Sequence, residues 1–372
     1  MIQPLNVALN GRFSGTPQPT GTQTVAFQLF DAIIRTRRDI EIVVFADPRF
    51  PGVEAWGKIA GTRLVTVPFQ DWSRGRAQLW EQFRLPQLCR QWSCPIAHHP
   101  ISTSPLWRRG IKSVVTLHDL NFYLHPEWYT SGFRLVQAFT LIPGAKRAER
   151  VVTISNYVFG QAKEHFGIPA ERLRMVYNAV KPMEAKVTRE TDDHRPRLLC
   201  VGSLQPHKNL SRMIRAFQRL QAEIPDLELH VVGRPQARFA KDPELPGLLG
   251  SKGVKLLGYL SEEELANAYF NSTVFCYPSL EEGFGLPILE AMSVGAVVVT
   301  SNASCLPEIA GGGAILVDPF SVEAIAAGVR QALTLDSATR AGMIAKGREW
   351  ARRFTWQRAA DEYLKIYSEL AS

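Results

Sequence analysis

The chain has 372 residues, 45% hydrophobic and 21% charged, and its 43 Lys and Arg against 35 Asp and Glu leave a formal net charge of +8. That apolar share excludes a largely disordered chain, and the length exceeds what one hydrophobic core usually serves, so two domains of roughly 150–200 residues are expected. No apolar run approaches the roughly 18 residues of a membrane span, and the five scattered cysteines, with no C-x-x-C pair, exclude a disulfide framework and a structural zinc site.

Met1–Pro4 offers neither a basic start nor a long apolar stretch, so no signal peptide and a cytoplasmic setting are expected. The first strand is predicted over 5–9, followed by a helix over 23–35 and a strand over 41–46. Strands at 63–68, 96–98, 113–117 and 151–154 follow, with a helix over 78–91 among them. A helix over 157–166 and a short strand over 173–177 close this first set. Residues 181–196 are polar, charged and aperiodic, which predicts a linker. The rhythm then restarts with strands at 197–201, 227–232, 254–257, 274–277, 296–300 and 314–317. Helices over 210–222, 262–271, 287–294, 324–333 and 355–370 complete it. Such alternation predicts an α/β chain of two doubly wound, Rossmann-like domains facing a central cleft, whose chemistry sits in loops beyond the carboxyl ends of strands. Domain boundaries are set at 1–185 and 190–354.

The excess base lies in the first half: residues 1–186 carry 23 Lys and Arg against 13 Asp and Glu, whereas 187–372 carry 20 against 22. A basic first domain suits an anionic partner, such as a membrane surface or a phosphate-bearing substrate. Trp72, Arg74, Arg76, Trp80, Trp107, Arg108 and Arg109 mix base with aromatics as a lipid-facing surface would, although a solvated surface over core tryptophans fits the same residues. No zinc finger, Arg-rich helix or RNP-like motif is present, so nucleic acid is not the expected partner. A basic nucleic-acid-binding protein remains the alternative from another class. The adjacent His98 and His99 lack a second ligand pair and are read as core histidines, with no metal expected.

The sharpest motif is Glu281-Glu282-Gly283-Phe284-Gly285-Leu286-Pro287-Ile288-Leu289-Glu290, directly after a predicted strand. Its glycines permit a tight turn and Pro287 suits the first position of a helix, so the N–H groups of Phe284, Gly285 and Leu286 point out of a helix N-terminus that attracts phosphate. Carboxylates in such a place accept hydroxyls: a sugar at Glu282 and a ribose at Glu290. A sugar nucleotide meets both demands. Strand, turn and helix start recur at Val201-Gly202-Ser203-Leu204-Gln205-Pro206-His207-Lys208-Asn209-Leu210, where Lys208 is placed to neutralise a leaving diphosphate. With no D-x-D triplet, transfer without a metal and without any other cofactor is expected.

Glu282 to Glu290 resembles the E-x7-E signature of retaining glycosyltransferases of family 4, which have the GT-B fold. The likeness continues through Ala291 to Gly295, Pro307-Glu308-Ile309 and Asp318-Pro319, and is closest to bacterial polysaccharide mannosyltransferases. It implies a donor held mainly by the second domain, an acceptor held mainly by the first, and a C-terminal helix, 355–372, crossing back to the first. Lys208 matches the family's diphosphate lysine, but Ser203 and His207 stand where arginines are common, so Arg212 is considered as a substitute. Thr116-Leu117-His118-Asp119 resembles the segment whose histidine, here His118, contacts the donor sugar. The resemblance also places Gly21 near the donor phosphates and Tyr259 with Leu260 at the nucleotide base. His118, Glu282 and Lys208 are thus the catalytic candidates. GDP-mannose is the preferred donor over UDP-glucose, and the acceptor is a hydroxyl of a glycan or lipid-linked intermediate. A phosphorylase or a sucrose- or trehalose-type synthase is the competing enzyme. A Rossmann oxidoreductase would want G-x-G-x-x-G after a strand, which is missing.

Overall fold

The computed structural model describes residues 5–17, 19, 21–37, 39–108, 110–181, 183, 195–235 and 242–372. Met1–Pro4, Arg109 and most of the expected linker therefore lie outside the described residues. The chain divides into two compact units. One comprises Met1–Leu120, Leu135–Ala179 and Thr355–Ser372, and the other Asn121–Arg134 and Val180–Phe354.

The first unit is built on seven parallel strands: β1 (Leu5–Gly11), β2 (Ile40–Ala46), β3 (Thr62–Thr66), β4 (Ile96–His99), β5 (Lys112–Leu117), β6 (Arg150–Thr153) and β7 (Leu173–Met175). Their spatial order is β3-β2-β1-β4-β5-β6-β7. Side chains alternate across the pleat. Val7, Leu9, Ile42 and Val44 pack against Phe30 and Ile33 of the helix Gly21–Thr36 and against Tyr363 and Tyr367 of the helix Trp356–Ala371. Ala8, Val43 and Phe45 point to the other face, where Ala77, Trp80, Leu85 and Cys89 cover them. The final helix is stitched in by hydrogen bonds as well: Tyr367 to His98 Nδ1 at 2.6 Å, and Tyr363 to Thr116 at 2.7 Å.

The single helix expected over 78–91 is Arg74–Leu79, a π turn at Trp80–Arg84, and Leu85–Gln91. The wide turn brings Trp80, Glu81 and Gln82 inward, leaving Leu79 and Phe83 outside, 60% and 53% exposed.

The second unit carries six parallel strands: β8 (Arg197–Val201), β9 (Glu228–Val232), β10 (Val254–Gly258), β11 (Val274–Tyr277), β12 (Val298–Ser301) and β13 (Ala314–Val317), in the order β10-β9-β8-β11-β12-β13. Leu198, Cys200, Leu229, Val231, Val274, Cys276 and Val299 form its core with the helices Leu210–Glu223 and Val322–Leu333. Among the described residues, no helix is long and apolar enough to cross a membrane.

Candidate functional site

The order of strand addition in the second unit reverses between β8 and β11, and ligands of open α/β sheets bind beyond the carboxyl ends of strands at such a point. The loops there are held backbone to backbone. Gly202 N donates to Val232 O at 2.9 Å and Gly233 N to Gly258 O at 2.8 Å. Gly233 sits at φ 153°, and a Cβ on it would lie 1.8 Å from the Gly202 carbonyl oxygen, so only glycine permits this approach. Pro206–Lys208 forms one 3₁₀ turn, and Asn209, left-handed at φ 59°, starts the helix Leu210–Glu223. Its buried amide donates to Pro278 O at 2.9 Å and Pro319 O at 2.7 Å, tying that helix start to the loops after β11 and β13.

This scaffold brings Lys208 and Glu282 together. Lys208 Nζ lies 2.5 Å from Glu282 Oε1 and donates to the Tyr277 hydroxyl at 2.8 Å, with both charged side chains nearly buried. Burial pushes the Glu282 carboxyl up. The Lys208 ammonium, His207 and the hydrogen bonds from Lys208 and Tyr277 outweigh it, so the group sits below its ordinary value and is ionised. Burial, with the Glu282 charge, pushes the Tyr277 phenol well up, so it keeps its proton. Ser304 Oγ accepts from Glu282 N at 3.2 Å, and the Cys305 thiol donates to the Glu282 and Phe284 carbonyls.

The helix Leu286–Val294 starts from Gly285 at φ 96°, where a Cβ would lie 2.7 Å from Leu306 Cδ2. Leu286 and Gly283 are half-buried, and Phe284 is buried against Phe354. Glu290, one turn in, accepts from the Tyr269 hydroxyl at 2.9 Å. Burial pushes its carboxyl up, the Tyr269 hydrogen bond pulls it down by less, and the Glu262 charge adds to the rise. Ser203 and Leu260 are half-buried, whereas Tyr259 is 68% exposed with the Arg234 guanidinium 5.4 Å over its ring.

The residues standing in for the expected arginines take other positions. His207 is buried, with its ring 5.7 Å from Trp128, which stacks on His125 at 3.9 Å. Arg212 turns its guanidinium to Asn209 Oδ1, 3.0 Å away, and over Phe320, so in this conformation it serves the loop rather than an open phosphate position.

In the first unit, His118 follows β5 and is buried. Its Nε2 lies 2.6 Å from the Pro100 carbonyl oxygen, which can only accept, so Nε2 carries the hydrogen. Burial lowers the imidazole's pKa against smaller upward effects of Pro100 and Asp119, and the neutral ring keeps Nδ1 as an acceptor. Gly21 opens its helix in open space, where a Cβ would meet nothing, so glycine is not sterically required.

A second polar cluster, invisible in the sequence, lies where strand addition reverses in this sheet, between β1 and β4. Asn10 donates to Glu81 at 2.6 Å and lies 3.1 Å from His99. Thr103 donates to Glu81 at 2.9 Å, and Arg12 pairs with Glu81 at 3.3 Å. Burial pushes Glu81 up, but Arg12, His99 and Thr103 outweigh it and hold it at about 2. His98 and His99 are both core residues on β4.

The comparisons agree with this architecture. Residues 184–350 match the model described as glycosyl transferases group 1, and residues 19–184 the model described as glycosyltransferase family 4. O-antigen chain mannosyltransferase B of Escherichia coli is 30% identical over 275 residues, 70% of this chain and 71% of that protein. O-antigen chain mannosyltransferase RfbU of Salmonella typhimurium is 27% identical over 60% of this chain and 59% of its own. Among solved structures, sucrose-phosphate synthase from Thermosynechococcus elongatus aligns over 99% of this chain and 100% of its own, with TM-score 0.74 at 19% identity. Anabaena HepE in complex with UDP-glucose aligns over 98% and 100%, with TM-score 0.73 at 18% identity. Two parallel α/β sheets, the E-x7-E loop at one switch point and these matches make the chain a member of the family 4 glycosyltransferases, hexosyltransferases with the GT-B fold.

Proposed function

We propose that this glycosyltransferase moves mannose from GDP-mannose to a hydroxyl of a glycan or lipid-linked intermediate in surface polysaccharide synthesis, retaining the configuration at the transferred carbon. The observation that carries the reading is the Lys208–Glu282 pair at the β8/β11 switch point, beside a helix that opens on glycine. The mannosyltransferases among its relatives support the choice of sugar.

Lys208 and the N–H groups at the start of the helix Leu286–Val294 stabilise the departing diphosphate, where negative charge develops. Glu282, ionised, accepts hydroxyls of the sugar, and Glu290 accepts those of the ribose. His118, neutral and with Nε2–H committed to Pro100, accepts a sugar hydroxyl at Nδ1. The bond from the sugar carbon to the diphosphate oxygen breaks, the acceptor oxygen attacks on the same face, and its proton passes to the leaving phosphate. In this reading a lysine and backbone dipoles supply the charge that a metal supplies elsewhere, and the enzyme works at an anionic membrane surface.

A thermal-shift screen against GDP, UDP, ADP and TDP, with magnesium and with EDTA, tests the donor. A ligand at 100 times its dissociation constant adds about 2.7 kcal/mol of stability. A shift selective for GDP that persists in EDTA and disappears in Lys208→Ala is the expected result. A shift selective for UDP transfers the reading to UDP-glucose, the donor bound to Anabaena HepE. Loss of the GDP shift in EDTA overturns metal-free binding.

A further inference from the structure

The first unit contains a cleft of about 630 Å³ that neither the donor site nor the buried Glu81 cluster uses, lined by Phe83, Trp107, Arg108, Gly110, Lys112 and Glu149 among others. Phe83 stands on the outer side of the π turn and Trp107 is 63% exposed, with the two rings 5.9 Å apart and nearly parallel. Trp80 is buried against Phe45 and Phe69, and Trp72 packs on Phe69 beneath Arg76, so neither joins this pair. Two large rings kept in solvent beside a cleft mark a binding surface rather than a core.

The polar side of the cleft is fixed in place and balanced in charge. Gln82 donates to Ser104 O at 3.0 Å and accepts from Leu106 N at 2.9 Å, which ties the segment carrying Trp107 to the π turn. Arg108 pairs with Glu149, and the bonds to that carboxylate from Arg108 and from Ser113 N, the latter at 2.7 Å, both end on Oε2. Among the described residues Glu149 Oε1 has no partner, so it is left to accept from a ligand. Lys112 is turned to the Leu370 carbonyl at 2.5 Å. The guanidinium and the carboxylate cancel, so the rings adjoin hydrogen-bonding groups of both kinds. A hexose matches that combination: its C–H face packs on aromatic rings, and its hydroxyls both donate and accept. A nucleic acid or an anionic headgroup would instead bring its phosphates up to the Glu149 carboxylate. The volume falls within the roughly 300–1,000 Å³ of ligand sites.

Its place in the sheet says which part of a glycan it takes. Lys112 is the first residue of β5 and Glu149 directly precedes β6, so this end of the cleft lies at the amino ends of those strands, whereas His118 follows the carboxyl end of β5. The six residues of β5 span about 20 Å, too far for one sugar to touch both. We propose that the Phe83–Trp107 cleft binds an uncharged stretch of the acceptor glycan, several sugars from the hydroxyl that reacts. This rests on the reading of the acceptor as a glycan and adds a second hold on it, away from the reacting end.

Biolayer interferometry of the full chain over immobilised α-mannan, dextran and pullulan tests it. The expected result is binding to at least one of these neutral polymers, changed less than twofold between 0.1 and 0.5 M salt, because no charge on the ligand is screened. Phe83→Ala/Trp107→Ala should weaken it at least tenfold, Glu149→Gln at least threefold and Trp107→Phe less than either. The same polymer in solution should shift tryptophan emission in the wild type and markedly less in Trp107→Phe. The GDP thermal shift is measured on every variant; its retention shows that the fold and the donor site are intact. A wild type that shows the GDP shift but binds no polymer overturns this proposal alone, and one that binds polymer but shifts with no nucleotide overturns the donor reading instead. Polymer binding that collapses in 0.5 M salt or survives Phe83→Ala/Trp107→Ala, or binding to anionic vesicles and to no polymer, also overturns the proposal.

Discussion

Lys208 and Glu282 hold each other in place, and removal of either leaves the other a buried, unpaired charge. Lys208→Ala strands a buried carboxylate, so it should cost about 3–5 kcal/mol of stability as well as the GDP shift. Lys208→Met/Glu282→Gln removes both charges and should recover most of that stability without recovering donor binding. Denaturant titration and thermal shift on the same samples separate the two effects. Acid should act through the same chemistry. Glu81 and Glu282 both have folded pKa values below the unfolded one, so the stability they contribute is present above about pH 4.5 and is lost as pH falls through the folded values. For Glu81, a fall from 4.5 to about 2 corresponds to about 3 kcal/mol. Stability measured from pH 7 to pH 2.5 should therefore drop steeply below pH 4.5. Glu81→Gln should start lower at pH 7 and show a flatter acid limb; an unchanged slope would contradict the role given to Glu81.

At the scale of elements, the central strands of both sheets were legible because parallel strands covered on both faces read as apolar runs, Ile42–Ala46 and Val274–Tyr277 among them. Several short helices and two long ones were not. Ser131–Arg147 contains Pro143 and exposes Leu135, Val136 and Phe139, so its apolar residues do not mark a core-facing stripe. Ser337–Ala351 is rich in small and basic residues, with Met343 and Ile344 partly buried against the core. The candidate site divides the same way. Its two loops are contiguous stretches with glycines at telling positions and were readable, but the pairing of Lys208 with Glu282 spans 74 positions and that of Asn10 with Glu81 spans 71. No local pattern encodes such meetings; the switch points of the sheets create them. The glycines make the dependence testable. Gly233→Ala forces a Cβ onto the Gly202 carbonyl, and we expect a loss of at least about 2 kcal/mol and of the GDP shift together, since the loop carrying Lys208 must move. Gly21→Ala, which meets nothing, should leave the melting temperature unchanged or slightly raised.

At the scale of the molecule, all five cysteines are buried, and burial raises the pKa of each thiol. A thiol reagent should label none of them in the native chain within minutes and all five in guanidinium; fast native labelling would contradict the packing. The chain passes from the first unit to the second at Ala179 and Val180, residues 121–134 also group with the second unit, and Trp128 lies against His207 there. The first unit, in turn, is finished by the last helix of the chain. Removing residues 356–372 takes away Tyr363 and Tyr367, the partners of Thr116 and His98, and should unfold the first unit rather than merely shorten it. On a ribosome this reverses the usual order of assembly. Although its strands emerge first, the first unit cannot close its core until the final turn of helix has left the exit tunnel. The second unit, complete by Phe354, is free to fold before it. Until residues 356–371 have emerged, the face of β1 and β4 that this helix covers is open to chaperones, and a stall or a nonsense codon within that stretch damages the first strands of the protein more than the second unit.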